Sequence, residues 1–261
     1  MFLSFNPPSY GVYHFSWIAV TIVCAVLCCI FLGRKHNEKV DKWFIFTVGA
    51  ILLVGELFKQ IYLTKKTGHY NWDQFPLQFC SVPMYVATLS VFVKNKKVKD
   101  ALYSFLGFFA LVAGIAVMAE PSGVFWYPYT PMVIHSTIWH SAMVILGIYI
   151  LFARSYGKKF SEVLKGYIVL LCVVAIALAF NEIMYYTVFI NTGSNYCNAF
   201  YLSSHYPCQL PILYDIQQAV PYPIFILAYL AAFFVGISLV WGVLWLIRKI
   251  CTKKVKKQKG N

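Results

Sequence analysis

Apolar residues in this chain gather into seven runs of roughly 20 residues, at 14–33, 43–63, 77–93, 101–119, 131–153, 166–190 and 220–247. Wound as a helix that rises about 1.5 Å per residue, a run of that length matches ~30 Å of hydrocarbon. Too little chain is left over for a soluble domain. The fold class this predicts is all-α: a polytopic membrane helical bundle of seven transmembrane helices over residues 1–247, with a tail at 248–261. The third run is the shortest and contains Pro83. With 60% of residues apolar and 12% charged, the composition belongs to a chain whose solvent is lipid.

A formal net charge of +13 raises nucleic acid as a partner, and the distribution of that charge argues against it. Lysine and arginine crowd into 34–42, 94–99, 154–165 and the segment from Arg248, while the N-terminal arm, 120–130 and 191–219 carry none. Lys59, Lys65 and Lys66 are the exceptions to this alternation. Basic connections stay in the cytoplasm, so the N-terminus is expected outside and the C-terminus inside. The first run has no small-residue cleavage pattern after it and reads as a retained span. The tail "RKICTKKVKKQKGN" suits anionic lipids of the inner leaflet. Lysine greatly outnumbers arginine, which suggests a low-GC bacterial genome and hence the plasma membrane as location.

The eight cysteines divide by position. Cys24, Cys28, Cys29 and Cys172 fall within apolar runs, where a thiol behaves as a small apolar residue. Cys251 is on the cytoplasmic side. Cys197 and Cys208 share the outer segment "NYCNAFYLSSHYPCQLP" and are candidates for a disulfide. No Cys and His spacing resembles a metal site. Cys80 alone has polar company, in "FPLQFCSVPMY".

Ionisable groups inside spans are costly and become functional candidates by default. If the third span is a helix from residue 77, Cys80 lies about 5 Å below its outer end. In the fifth, His135 lies at about 6 Å and His140 at about 13 Å, while Glu56 and Glu182 lie about 10 and 12 Å from the outer ends of theirs. Gln60, Gln78, Glu120 and Asn181 belong to the same outer half, so several helices contribute to one polar slab. The slab reads either as a cavity opening outward or as a set of groups that hydrogen-bond one another and hold the bundle together. Depth pairs Cys80 with His135 and His140 with Glu182, an arrangement that suggests nucleophile, base and orienter.

The stretch "FPLQFCS" resembles the Leu-Pro-Leu-His-Leu-Cys segment of the bacterial YwaF-like integral membrane proteins, relatives of the animal transmembrane protein 164. "PMVIHSTIWHS" is similar to that family's histidine-bearing fifth span. "NTGSNYCNAF", followed by "LPILYD" and "VPYPIF", is similar to its Gly-x-Asn-Tyr outer loop, with Asn195 and Tyr196 at the motif positions. Gln78 stands where the bacterial pattern has a histidine. The resemblance implies a lipid acyltransferase that forms a thioester on Cys80, with phospholipid or lysolipid substrates and no soluble cofactor. Gln78, Glu56, Asn181, Asn195 and Tyr196 are then candidates for the substrate or oxyanion site. The competing expectation is a carrier or ligand-binding protein with the same outward polar cavity and no chemistry.

Overall fold

The computed structural model describes residues 6–33, 37–125, 129–190 and 197–259, with side chains as far as residue 250. Within them the chain is helical, with no strand. The long helices are α1 (Val12–Gly33), α2 (Glu38–Thr67), α4 (Lys96–Ala119), α5 (Thr130–Ala153), α6 (Phe160–Phe189) and α8 (Tyr222–Lys259). Between them lie shorter ones, among them α3 (Val82–Ser90) and α7 (Leu213–Ala219). Local chemistry sets several ends. Asn37 caps α2 by accepting from Lys39 N at 2.8 Å, and Asn95 caps α4 by accepting from Lys97 N and Val98 N. Gly68, at φ 77°, stops α2 in a left-handed turn.

Among the described residues six helices, not seven, are long and apolar enough to cross a membrane. The third run yields only the nine residues of α3, about 14 Å of helix, which is under half the hydrocarbon. Its first half is not helical: Pro76, just ahead of the run, turns the residue before it away from helical backbone, and the chain then turns over residues 78–81. Phe75, just before Pro76, has ψ 134°. Helix begins only where Pro83 can sit in a first turn, where its missing N–H has no intrahelical partner to lose. The chain nevertheless returns the full length of the bundle between α2 and α4, because Lys99 pairs with Glu38 at the start of α2.

The helices α4 and α5 are the interior pair, with 67% and 56% of their apolar windows buried against 17% for α1 and α8. They approach closely where Gly147 faces Leu111; a Cβ there would come within 2.6 Å of the leucine Cβ. Side chains at this crossing are small so that backbones can touch, the usual device when lipid supplies no hydrophobic drive between helices.

One end of the bundle is tied by charge. Asp41, buried near the start of α2, holds Arg154 and the Tyr149 hydroxyl from α5. Tyr156 donates to Asp100 at 2.7 Å, and Arg248 of α8 donates to the carbonyls of Leu151 and Tyr156. These are the connections that the sequence marks as basic. The opposite end carries the connections poor in lysine and arginine, and the broken third span opens there.

Candidate functional site

Cys80 sits two residues before the first residue of α3, at the inner tip of the non-helical stretch. Irregular backbone at membrane depth needs partners from protein, and here side chains supply them. Trp139 of α5 donates its indole N–H to the Cys80 carbonyl at 3.0 Å, Tyr85 donates to the Pro76 carbonyl at 3.0 Å, and Gln60 of α2 donates to the Gln74 carbonyl at 2.7 Å. The thiol packs in an apolar cluster with Leu52, Met84, Ala113, Trp139 and Met143.

Cys80 lies deeper than a regular helix would place it. Gly49 of α2 abuts Thr88 and Ala87 of α3. Counting along the two antiparallel elements from that contact puts Cys80 level with residues 56–58, about 15 Å from the end of α2. The expected 5 Å assumed a helix from residue 77, whereas the chain turns over residues 78–81, with Ser81 N donating to the Gln78 carbonyl at 2.8 Å, before α3 begins. At this level α2 carries an ion pair, Glu56–Lys59 at 2.9 Å, almost fully withdrawn from the surface, with Gln60 donating to Glu56 at 2.6 Å. The charges of Lys59 and Glu56 both reach Cys80, and Lys59 also acts on His135 and His140.

A groove of about 770 Å³ runs between α2 and α5 and opens toward lipid. Ile51, Phe58, Ile134 and Ile138 form its sides, and Gly55, His135 and Trp139 form its floor. Gly55 makes room for the imidazole, whose Nε2 lies 3.4 Å from the position a Cβ would take. That nitrogen is buried and meets no hydrogen-bond partner of normal geometry among the described residues. His140 lies deeper, its Nδ1 at 2.7 Å from the Ser136 carbonyl. With Nδ1 donating to that carbonyl, the tautomer is fixed and Nε2 is left as the basic nitrogen.

Several candidates hold the fold in place instead of facing Cys80. Gln78 donates to the Asn198 carbonyl at 2.9 Å and accepts from Phe200 N at 3.1 Å, which turns its amide toward the outer loop. Asn181 grips the same loop at Ala199, donating to its carbonyl and accepting from its N–H. Between these two clasps Phe200 and Tyr201 take left-handed backbone, φ 58° and 57°, which side chains disfavour. Glu182 does not pair with His140. It accepts from Ser204 at 2.6 Å and meets His205 at 3.0 Å, with His205 stacked on Tyr185.

The thiols of Cys197 and Cys208 are free and buried in separate clusters, so the disulfide is not formed. Burial, helped by the charge of Asp73, pushes the Cys197 thiol up to about 12. Among the described residues no group of His, Cys, Asp and Glu could hold a metal ion. Asn195 and Tyr196 lie outside the described residues.

The sequence reading passed over Lys59, Trp139 and Gly55. Lys59 had a signal, standing one helical turn from Glu56 within an apolar run, but the charge count treated it as an exception to topology. Trp139 and Gly55 had none, because an apolar helix offers many of each. No curated protein and no solved structure matches the chain. The family model described as the TMEM164 family does match, over residues 9–246, nearly the whole chain. This multi-pass membrane protein therefore belongs to the TMEM164 family.

Proposed function

We propose that the protein is an acyltransferase of phospholipids or related lipids, working from the outer leaflet of the plasma membrane through a thioester on Cys80. The observation that carries the reading is the junction at Trp139: one indole floors a lipid-open groove beside His135 and donates its N–H to the Cys80 carbonyl. A thiol and a lipid-facing imidazole thus share a wall.

In the first half-reaction the Cys80 proton passes to His135, and Sγ attacks the acyl carbonyl carbon of the donor. The bond from that carbon to the glycerol oxygen breaks, and the lysolipid leaves with the proton from the imidazolium. In the second, an acceptor hydroxyl gives its proton to His135 and attacks the thioester. The C–S bond breaks, and the thiolate recovers its proton. A thiolate here needs a positive partner, and Lys59 and the N-terminus of α3 are the ones proposed. Pro83 has no N–H and Met84 N donates to the Ser81 carbonyl, so the Val82 N–H is the backbone donor proposed for the oxyanion. His140 is the second imidazole within reach of the same charges. Gln78, Asn181 and Glu182 act through the loops they hold. With a lipid as donor, no coenzyme A enters the reaction.

Feeding an alkyne fatty acid to cells that make the protein tests this. Wild-type protein is expected to carry a hydroxylamine-labile label and Cys80→Ala to carry none. Equal labelling of the two, with the other cysteines accounted for, sinks the thioester. The broken third span and the Glu56–Lys59 pair also suit a carrier, since interrupted helices often line solute sites. Solute uptake that survives Cys80→Ala favours that second reading.

A further inference from the structure

The groove between α2 and α5 is apolar along its length, and its end nearest the α2 terminus is not. There Lys66 lies 5.4 Å over the ring of Tyr129, which meets Tyr62 edge-on with centroids 6.1 Å apart. A ring face steadies an ammonium without occupying its N–H donors, which stay available to an anion. Lys66 is exposed, its neighbour Lys65 adds a second positive charge, and no carboxylate appears among the residues lining the groove. From Lys66 to Ile51 the groove follows α2 for about 22 Å, a length filled by a chain and not by a compact solute.

We propose that the groove seats one phospholipid of net negative charge, with its phosphate on Lys66 and one acyl chain running past His135 toward Ile51. The proposal rests on the acyl-transfer reading for its purpose, but the binding itself requires no thiol. Charge selects the headgroup. A zwitterionic lipid brings its own cation beside Lys65 and Lys66, where the groove lining has no carboxylate to receive it, whereas an anionic headgroup adds nothing repulsive. Depth sets the role of the seat. Lys66 lies about 16 Å along α2 from Gly55, so a phosphate held there keeps the ester above Cys80. Lys66 therefore selects and loads the lipid, one step before chemistry, and is a specificity residue instead of a catalytic one.

The test uses full-length Cys80→Ala protein in vesicles containing phosphatidylglycerol or phosphatidylcholine analogues with a photoactivatable diazirine midway along one acyl chain. Crosslinks, mapped by proteolysis and mass spectrometry, are expected on residues 51–58 and 134–138. The anionic lipid is expected to label about fivefold more, the factor one lysine contributes at a membrane surface. Lys66→Gln is an exposed change that leaves packing intact, and it is expected to keep the crosslinks while equalising the two lipids. Equal labelling in protein that retains Lys66, or label spread over the lipid-facing α1 and α8, overturns the seat. Thioester labelling of the unsubstituted protein is measured in parallel. Its absence alongside groove crosslinks removes the chemistry and spares the seat; its presence without them does the reverse.

Discussion

Cys197 and Cys80 are both thiols placed outside the long helices, and their surroundings separate them. Cys197 is buried with Met184 and Phe189, and a thiol pushed up to about 12 holds its proton throughout the physiological range. A thiol reacts as thiolate, so the reactive fraction stays negligible at pH 8 and grows only as pH rises toward that value. Native protein treated with maleimide at pH 8 is therefore expected to leave Cys197 unmodified, while denatured, unreduced protein reacts there promptly. Resistance of Cys197 after denaturation that yields to a reductant would reinstate the disulfide with Cys208. At this scale the sequence singled out Cys80, whose polar neighbours set it apart in an apolar run. It left Gln78 and Asn181 between lining a cavity and holding the bundle, because their partners at 198–200 are far along the chain for Gln78, and no helical spacing leads to them.

Among the elements, the long helices were legible because each apolar run is itself the reason for a helix in lipid. The third was not. Pro76 and Pro83 were visible, but counting apolar residues ignores backbone, and the run passed for a span although helix begins only at Val82. What the runs also hide is which helices lie inside, since α4 and α8 are similarly apolar while only α4 is buried along most of its length. The glycines carry that information through contact. At Gly147 the Leu111 backbone comes within 3.1 Å of the Cβ position. Gly147→Val is thus expected to force α4 and α5 apart, costing about 1–3 kcal/mol for overpacking a tight interior. Unfolding in mixed micelles measures it; an unchanged midpoint would mean that the crossing is looser than this contact implies.

For the molecule as a whole, the alternation of basic and uncharged connections anticipated two chemically different ends, and the structure gathers the basic connections at one of them. The sequence reading did not anticipate how that end is tied. It found the basic half of the spans nearly free of ionisable groups, yet Asp41 lies buried there beside Arg154, from a chain position just outside the apolar count. Asp41→Asn keeps the shape and removes the charge, leaving the Arg154 guanidinium withdrawn from water without its counterion. A loss of about 3–5 kcal/mol is expected, as for other broken buried pairs. An unfolding titration showing less than 1 kcal/mol would mean that water or lipid phosphate replaces the carboxylate.

The loop clasped by Gln78 and Asn181 has one more consequence. Ala199, Phe200 and Leu202 are buried, and Phe200 rests edge-on against Phe79, the residue before Cys80. In the reaction proposed, the loop acts as a stopper between the thiol and bulk water, while the groove between α2 and α5 is the side open to lipid. Water is the rival acceptor of any acyl group carried on sulfur, and it is the one the stopper keeps out. If Cys80 carries an acyl group as proposed, its partition is then expected to tilt toward another lipid and away from release of free fatty acid.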